Sequence, residues 1–290
     1  SYRAANFNEI TVAQTIPVLK KNFSELSELE VDHNGFVRLK GFDGEGNEVD
    51  AYVEPTTGKI LGKPIEKSAF REWITALHRS MFLKETGRLM VGAVSFLLLL
   101  IAISGVALII QRQRSLAKFF TKVVKEYFAQ YYHVITGRLM LIPVLVIALT
   151  GTYLCMVRFQ LFPEHKAEHQ EIKAPNETPV QQKIEDFALF KNTKLAEVKK
   201  IAFPFAEDPE EYYNFKLGDR ELMVDQFSGK VLSEVKYPTT LVLENLSLDL
   251  HTGRTNMVWA GILGIACLNI LFFIYSGFAI TLKRRATKIK

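Results

Sequence analysis

The sequence has few cysteines and none of the short motifs that mark common catalytic sites. Its 290 residues include two Cys, too few for a disulfide scaffold or a zinc domain built on cysteine ligands. It contains no Gly-rich phosphate-binding loop, no Ser or Cys nucleophile motif and no HExxH motif. A hydrolase and a direct nicotinamide-binding enzyme are therefore without support.

What the sequence does contain is three long apolar runs without a charged residue. They cover residues 89–110, 139–157 and 255–282. A helix needs about 20 residues to cross the hydrocarbon core, whereas buried helices of soluble domains rarely exceed about 10–14 consecutive apolar residues. The runs predict three transmembrane helices.

The charges between these runs predict the topology. The loop 112–132 has a net charge of +4 and the tail 283–290 of +5, whereas residues 1–78 carry −3 and residues 159–250 carry −6. By the positive-inside rule, the loop and the tail are cytoplasmic and both long segments lie outside. The overall surplus of +5 is thus a topology signal, not a nucleic-acid footprint.

A repeated pattern lies in the two outside segments. The pattern V-[DE]-x-x-[ST]-G-K-[IV]-L occurs at residues 53–61 and 224–232, and it predicts a strand, a turn with glycine at positive φ, and a second strand. A helix with one apolar face precedes the first copy, and another is expected near 180–190 before the second. Further strands are predicted near 27–31, 36–42, 49–53, 198–205, 212–217 and 221–224. Each segment thus reads as a small α+β module.

The repeat extends into the membrane runs. Thr-Gly-Arg precedes each run, a histidine comes shortly before it, and a small pair (Ser-Gly or Thr-Gly) lies near the far end, at residues 104–105, 150–151 and 276–277. The natural unit is span, module, span. It is complete over 133–283, and over 1–111 its opening span is absent. We expect either a further span before Ser1 or a signal peptide that has been removed.

Three of the six histidines are candidate ligands. His78 and His251 precede the outer ends of two spans, and His133 lies at the inner end of the middle span. An ionisable ring beside a span is a functional-site candidate, and histidine is the usual axial ligand of haem. We expect one haem b between His78 and His251, and an inner one at His133 if a further span supplies its partner.

Arginines accompany these histidines. Arg88, Arg138 and Arg254 are candidates to pair with haem propionates, because a guanidinium binds a carboxylate bidentately. The alternative is that these His and Arg residues are ordinary interfacial anchors. His78 also lies 11 residues before its apolar run, so either the first span begins earlier or residues 70–84 lie along the membrane surface.

The quoted module pattern resembles the PepSY domain, and two such modules interleaved with spans resemble the PepSY-associated transmembrane family over nearly the whole chain. The resemblance implies a membrane α-helical bundle, with three spans here and four in the full protein, carrying two small extracytoplasmic α+β PepSY modules. The family includes haem-containing inner-membrane reductases of ferric siderophores. It therefore supports the role of His78, His251 and His133 as haem ligands.

The function expected is a haem-containing electron-transfer protein of the bacterial inner membrane, with its modules in the periplasm. A cytoplasmic flavin or NADPH reductase domain or protein would donate electrons to an extracytoplasmic acceptor, ferric iron in a siderophore, held between the modules. The alternative is a non-enzymatic, membrane-anchored PepSY pair that binds a peptide, protease or envelope partner. A third possibility is a metal-binding or transport accessory that uses His165 and His169, whose i, i+4 spacing on a helix can bind a metal.

The predicted organisation runs along the chain in ten segments. These are the first module (1–66), a connector with His78 (67–88), a span (89–111), a basic loop (112–132), a span (133–158), a linker (159–179), the second module (180–236), a connector with His251 (237–254), a span (255–282) and a basic tail (283–290).

Overall fold

The structure is a computed structural model that describes residues 3–113, 123, 127–162, 168–169 and 181–288. Most of the basic loop, the linker with His165 and the end of the tail lie outside these residues. The chain divides into two compact units. One comprises Ser1–Lys67 and His165–Val242, and the other Ser68–Glu164 and Leu243–Lys290.

The first unit is built on one eight-stranded antiparallel sheet with the order β4-β3-β2-β1-β5-β6-β7-β8. Its strands are β1 (Glu25–Val31), β2 (Val37–Phe42), β3 (Glu48–Val53), β4 (Ile60–Gly62), β5 (Val198–Ala202), β6 (Tyr212–Leu217), β7 (Arg220–Asp225) and β8 (Val231–Lys236). All six strand positions expected before and between the repeated turns are confirmed, because alternating burial and turn residues are local signals.

The two modules are joined edge to edge, which the sequence left open. β1 pairs with β5 over three residues, with Leu29 opposite Ile201 at the centre. Both side chains are fully buried. Glu28 lies at the same junction, 3.3 Å from Lys40 Nζ on β2 and 2.7 Å from Lys200 Nζ on β5. The two modules are therefore continuous through one sheet at this junction.

Helices from both modules cover the same hydrophobic core. α1 (Val12–Asn22) buries Val12, Ile16 and Leu19, as its apolar face predicts, and remains helical through Pro17. In the second module the helix expected near 180–190 is shorter. Within the described residues it is a 3₁₀ turn (Ile184–Asp186) followed by α6 (Ala188–Asn192), whose buried Phe190 joins that core. The core thus makes the two modules one unit.

The repeated turns have the same geometry in both copies. Gly58 has φ of 73° and Gly229 of 66°, as predicted. Each glycine N–H donates to the backbone carbonyl of the acidic residue four positions earlier, Glu54 or Asp225. The carboxylate of that residue caps the turn by accepting from backbone N–H groups, at 2.7 Å from Thr57 and 2.8 Å from Ser228. The V-[DE]-x-x-[ST]-G pattern is therefore a turn signature.

The second unit is helical. It contains α2 (Ala69–Ser80), α3 (Lys84–Gln113), α4 (Phe128–Leu139), α5 (Leu141–Arg158), most of α7 (Thr239–Thr252) and α8 (Met257–Lys288). Among the residues that the structure describes, three of its helices are long and apolar enough to cross a membrane, over Lys84–Leu108, Leu141–Arg158 and Met257–Ala286. The predicted spans thus correspond to α3, α5 and α8.

Two helix boundaries differ from the sequence-based expectation. α3 begins at Lys84, five residues before the apolar run, and a turn with positive φ at Met81 and Phe82 separates it from α2. The segment 133–158 is broken at Met140 into α4 and α5. Pro143 explains the break, because it has no N–H to donate back to Leu139 and its ring crowds the preceding turn.

Replacement of Gly229 tests the core contact beneath the second turn. A Cβ at this position would lie 2.2 Å from Phe187 Cγ, in addition to the strain of positive φ. Gly229→Ala should therefore lower the free energy of unfolding by about 2–4 kcal/mol. Gly46→Ala has positive φ but open space, and should cost about 1 kcal/mol. Gly44→Ala has neither feature and should be neutral. Thermal unfolding of the full chain in detergent, followed by circular dichroism, would measure these effects; equal losses for Gly229→Ala and Gly46→Ala would contradict the contact.

The junction charge should make the sheet sensitive to acid. Burial alone raises the pKa of Glu28, but hydrogen bonds with Glu30 and Lys200 outweigh burial and lower it from 4.5 to about 2. Because folding lowers this pKa, the Glu28 carboxylate stabilises the folded state. The stabilisation is complete above about pH 4.5 and is lost as the pH falls toward 2. Glu28→Gln should weaken the β1–β5 junction by about 1 kcal/mol at pH 7, and the effect should shrink at pH values near 3.

Hydrogen exchange of the β1 and β5 amides at both pH values measures this difference. Glu25→Gln, on the same strand, is the control, since its carboxylate forms none of the ion pairs found among the described residues. An effect of Glu28→Gln that is equally large at pH 7 and pH 3 would show that the carboxylate charge is not responsible.

Candidate functional site: a histidine pair at the ends of two short helices

Two short helices each carry a histidine in their last turn and lead into a long apolar helix. α2 ends at Ser80 with His78, and α7 ends at Thr252 with His251. The rings of these two histidines are stacked, with centroids 6.0 Å apart and planes inclined by 26°. The structure therefore brings together the two residues expected to form one site, here called the histidine pair.

The surroundings of His251 are supplied by α5. Its Nδ1 lies 3.0 Å from Thr150 Oγ1. A Cβ on Gly151 would lie only 3.1 Å from the His251 Cε1, so the glycine makes room for the imidazole. His251 is half-buried, whereas His78 is exposed.

His133 occupies a second, separate environment between α4 and α8. Its Nδ1 lies 2.7 Å from Ser276 Oγ, and its ring packs against Phe273 with centroids 5.1 Å apart. In the part of the chain that the structure describes, no other histidine ring stacks on it. His133 therefore lies apart from the histidine pair, as the sequence predicts.

The three candidate arginines differ in their surroundings. Arg88 Nη1 lies 3.1 Å from the Glu85 carboxylate, which Arg158 also binds at 2.8 Å. The Nε atom of Arg88 is buried and makes no hydrogen bond. Arg138 is half-buried in the last turn of α4, and Arg254 is exposed in the turn before α8. Arg88 is therefore already engaged in an ion pair with Glu85. Sequence reasoning missed the second ion pair of Glu85, because Arg158 is 73 residues away.

Small residues bring α3 and α5 close together. A Cβ on Gly92 would lie 2.0 Å from Cys155 Sγ, and Ser95 Oγ donates to the Ala148 carbonyl at 3.1 Å. Such contacts let the backbones of apolar helices approach closely. They hold α5, and with it Thr150, next to the helix that follows the His78 segment.

The structure shows no site shared by His165 and His169, the weaker histidine candidates, among the residues it describes. His165 lies outside the described residues. His169 Nδ1 lies 2.8 Å from Ser233 Oγ, and its Nε2 is buried without a hydrogen bond. Among the described residues there is no group of three or more His, Cys, Asp or Glu side chains that could hold a metal ion.

The partners of the histidines were the residues that sequence reasoning missed. Thr150 and Ser276 belong to the small pairs that recur near the far ends of the apolar runs. Their recurrence at matching positions was a signal, but it could not show which imidazole each hydroxyl meets. That pairing joins residues 101 and 143 positions apart in sequence.

The geometry defines a class of protein: a membrane protein with three apolar helices among its described residues, an eight-stranded antiparallel sheet and a pair of neighbouring imidazoles. The family profile described as "PepSY-associated TM region" matches residues 10–284. The chain belongs to this PepSY-associated TM family, as the resemblance indicated. No curated protein and no solved structure matches the chain.

Replacement of Gly92 tests the close packing that supports the site. Gly92→Ala should lower the stability of the helical unit by about 1–3 kcal/mol, because its Cβ would collide with Cys155 Sγ. Gly105→Ala in the same helix meets no atom within 4 Å and is the matched control. Both Trp residues lie in this unit, so thermal unfolding in detergent can be followed by their fluorescence. Adding Cys155→Ala should restore part of the loss; equal melting of the two glycine variants would contradict the contact.

Proposed function

We propose that this protein is a haem-containing electron-transfer protein of the bacterial inner membrane. The observation that carries the proposal is the histidine pair, in which His78 and His251 approach each other from two helices that are far apart in sequence. Histidine imidazoles are common protein ligands of haem iron, so His78 and His251 would hold the haem between them.

The distance within the histidine pair fits this role. Metal–imidazole bonds are about 2 Å long, so two rings ligating one iron through Nε2 have centroids roughly 6 Å apart. The observed separation is 6.0 Å. Gly151 lets the ring of His251 approach α5 closely, since a Cβ there would lie 3.1 Å from His251 Cε1. The distance between the rings and the exposure of His78 support the proposal that these two histidines would hold a haem.

A second haem is proposed at His133. This residue has the same type of hydroxyl partner as His251 and precedes its apolar helix within the same His…Thr-Gly-Arg repeat. Its counterpart ligand would come from a further membrane helix. Two haems at different depths would allow an electron to cross the bilayer in steps.

Arg88, Arg138 and Arg254 would balance the propionates of these haems. A guanidinium fork matches a carboxylate, and the buried Nε of Arg88 has no hydrogen-bond acceptor. Arg88 would have to share its charge with Glu85, which lies 3.1 Å from its Nη1. Arg254 is the most accessible of these three arginines, since it is exposed whereas Arg88 and Arg138 are half-buried.

The reaction proposed is a one-electron transfer from a cytoplasmic flavin or NADPH reductase to ferric iron in a siderophore outside. Bound haem supplies the reversible one-electron change of the iron. Reduction of the substrate from Fe³⁺ to Fe²⁺ weakens its hold by hard oxygen ligands, which releases the metal. The protein positions the two imidazoles and adjusts their basicity. The acidic double module, in this topology, lies in the periplasm on the acceptor side.

A reduced-minus-oxidised visible spectrum of the purified full chain tests this proposal. The wild type should show a bis-histidine haem signal. His78→Ala and His251→Ala should each abolish the contribution of one haem, because an iron with a single imidazole loses the six-coordinate spectrum. His133→Ala should remove only the spectral contribution of the second haem, which is the one proposed at His133.

His33→Ala is the matched control, since His33 lies in the turn between β1 and β2 and contacts Asn34. It should leave the spectrum unchanged. A well-folded wild type without any haem signal would overturn the electron-transfer proposal. It would leave the non-enzymatic alternative, a binding module, for which the continuous sheet with its two edge strands β4 and β8 is the supporting observation.

A further inference from the structure

Two buried hydroxyl groups hold the histidines in a shared manner. Thr150 Oγ1 lies 3.0 Å from His251 Nδ1, and Ser276 Oγ lies 2.7 Å from His133 Nδ1. Thr150 is 5% exposed and Ser276 is 0% exposed. Both belong to the repeated small pairs, so the arrangement recurs in two places of the fold.

The direction of these hydrogen bonds follows from the other bonds of each hydroxyl. Thr150 Oγ1 donates to the Val146 carbonyl at 2.6 Å, and Ser276 Oγ donates to the Phe272 carbonyl at 2.7 Å. A hydroxyl has one proton and two acceptor lone pairs. With its proton committed to the backbone four residues earlier, each hydroxyl can only accept from the imidazole.

The consequence is a defined tautomer. If Nδ1 carries the proton, Nε2 of a neutral imidazole has the free lone pair needed by a metal. Hydrogen bonds to the distal nitrogen orient a ligating histidine and raise its basicity.

We infer that Thr150 and Ser276 are positioning residues that fix the Nδ1–H tautomer of His251 and His133 and so present Nε2 to the haem iron. Each of the helices α5 and α8 supplies the hydroxyl that binds the histidine preceding the other helix. His251 precedes α8 and is held by α5, whereas His133 precedes α5 and is held by α8. The role toward iron rests on the proposed function, but the tautomer does not.

The third small pair is Ser104-Gly105, and among the described residues its hydroxyl is not hydrogen-bonded to a histidine. Ser104 Oγ donates to the Ile101 carbonyl at 2.9 Å and is exposed. It contacts neither His251 nor His133. Ser104→Ala therefore serves as a control for Ser276→Ala. Thr152→Val is the matched control for Thr150→Val, because Thr152 lies on the same helix and donates only to the Ala148 carbonyl, at 2.7 Å.

The primary experiment is nitrogen NMR of the haem-free full chain with ¹⁵N-labelled histidine, assigned with single His→Ala variants. The shifts of the two ring nitrogens report which one carries the proton. His251 and His133 should both be Nδ1–H tautomers.

Thr150→Val should shift the signals of His251 alone and Ser276→Ala those of His133 alone. Thr150→Ser and Ser276→Thr should restore the wild-type shifts, and Thr152→Val and Ser104→Ala should change neither. An Nε2–H tautomer in the wild type, or unchanged shifts in Thr150→Val, would overturn the inference.

A second measurement uses the haem-loaded protein. Thr150→Val and Ser276→Ala should each raise the midpoint potential of one haem, because a less basic imidazole stabilises Fe³⁺ less. The affinity for that haem should fall by about 10- to 100-fold. Wild-type potentials and affinities in both variants would overturn the role toward iron. If the chain binds no haem and yet shows the expected tautomers, the proposed function fails and the hydroxyl assignment stands.

Discussion

The helical unit depends on one requirement, that an imidazole buried beside an apolar helix must have a partner for its N–H. Thr150 and Ser276 meet it for His251 and His133. Both hydroxyls can accept because their own protons are bonded to the backbone of the same helix. An unpaired donor in this position would cost about 1–3 kcal/mol, so these bonds select one arrangement of α4 and α7 against the long helices. In that arrangement the ring of His251 lies 6.0 Å from the ring of His78.

The sheet unit depends on a different constraint, the burial of two small modules that share one core. A module of about 60 residues has little apolar surface to bury by itself. Pairing of β1 with β5 removes one edge from each four-stranded half. Phe190 from the second module joins the cluster that contains Ile16 from the first. The result is one eight-stranded unit rather than two independent modules.

Much of this architecture was predictable because its signals are local. The apolar runs, the alternating strands and the turns at Gly58 and Gly229 each depend on residues within one segment. The break at Met140 was also locally encoded by Pro143, but the uninterrupted apolar run obscured it. The ion pair between Glu85 and Arg158 could not be predicted, since its partners come from different helices. His165 lies in a segment that the structure does not describe.

The sequence by itself determined the class of the protein, the spans, the double module and the histidines worth considering. These follow from hydrophobic length, period-2 alternation and repeated motifs, which are properties of contiguous residues. Only the tertiary structure decided which histidines meet, which hydroxyl each one binds, and that the two modules form one sheet. Those outcomes depend on contacts between residues more than 100 positions apart, and such contacts are selected by packing and hydrogen-bond satisfaction across helices rather than by any local pattern.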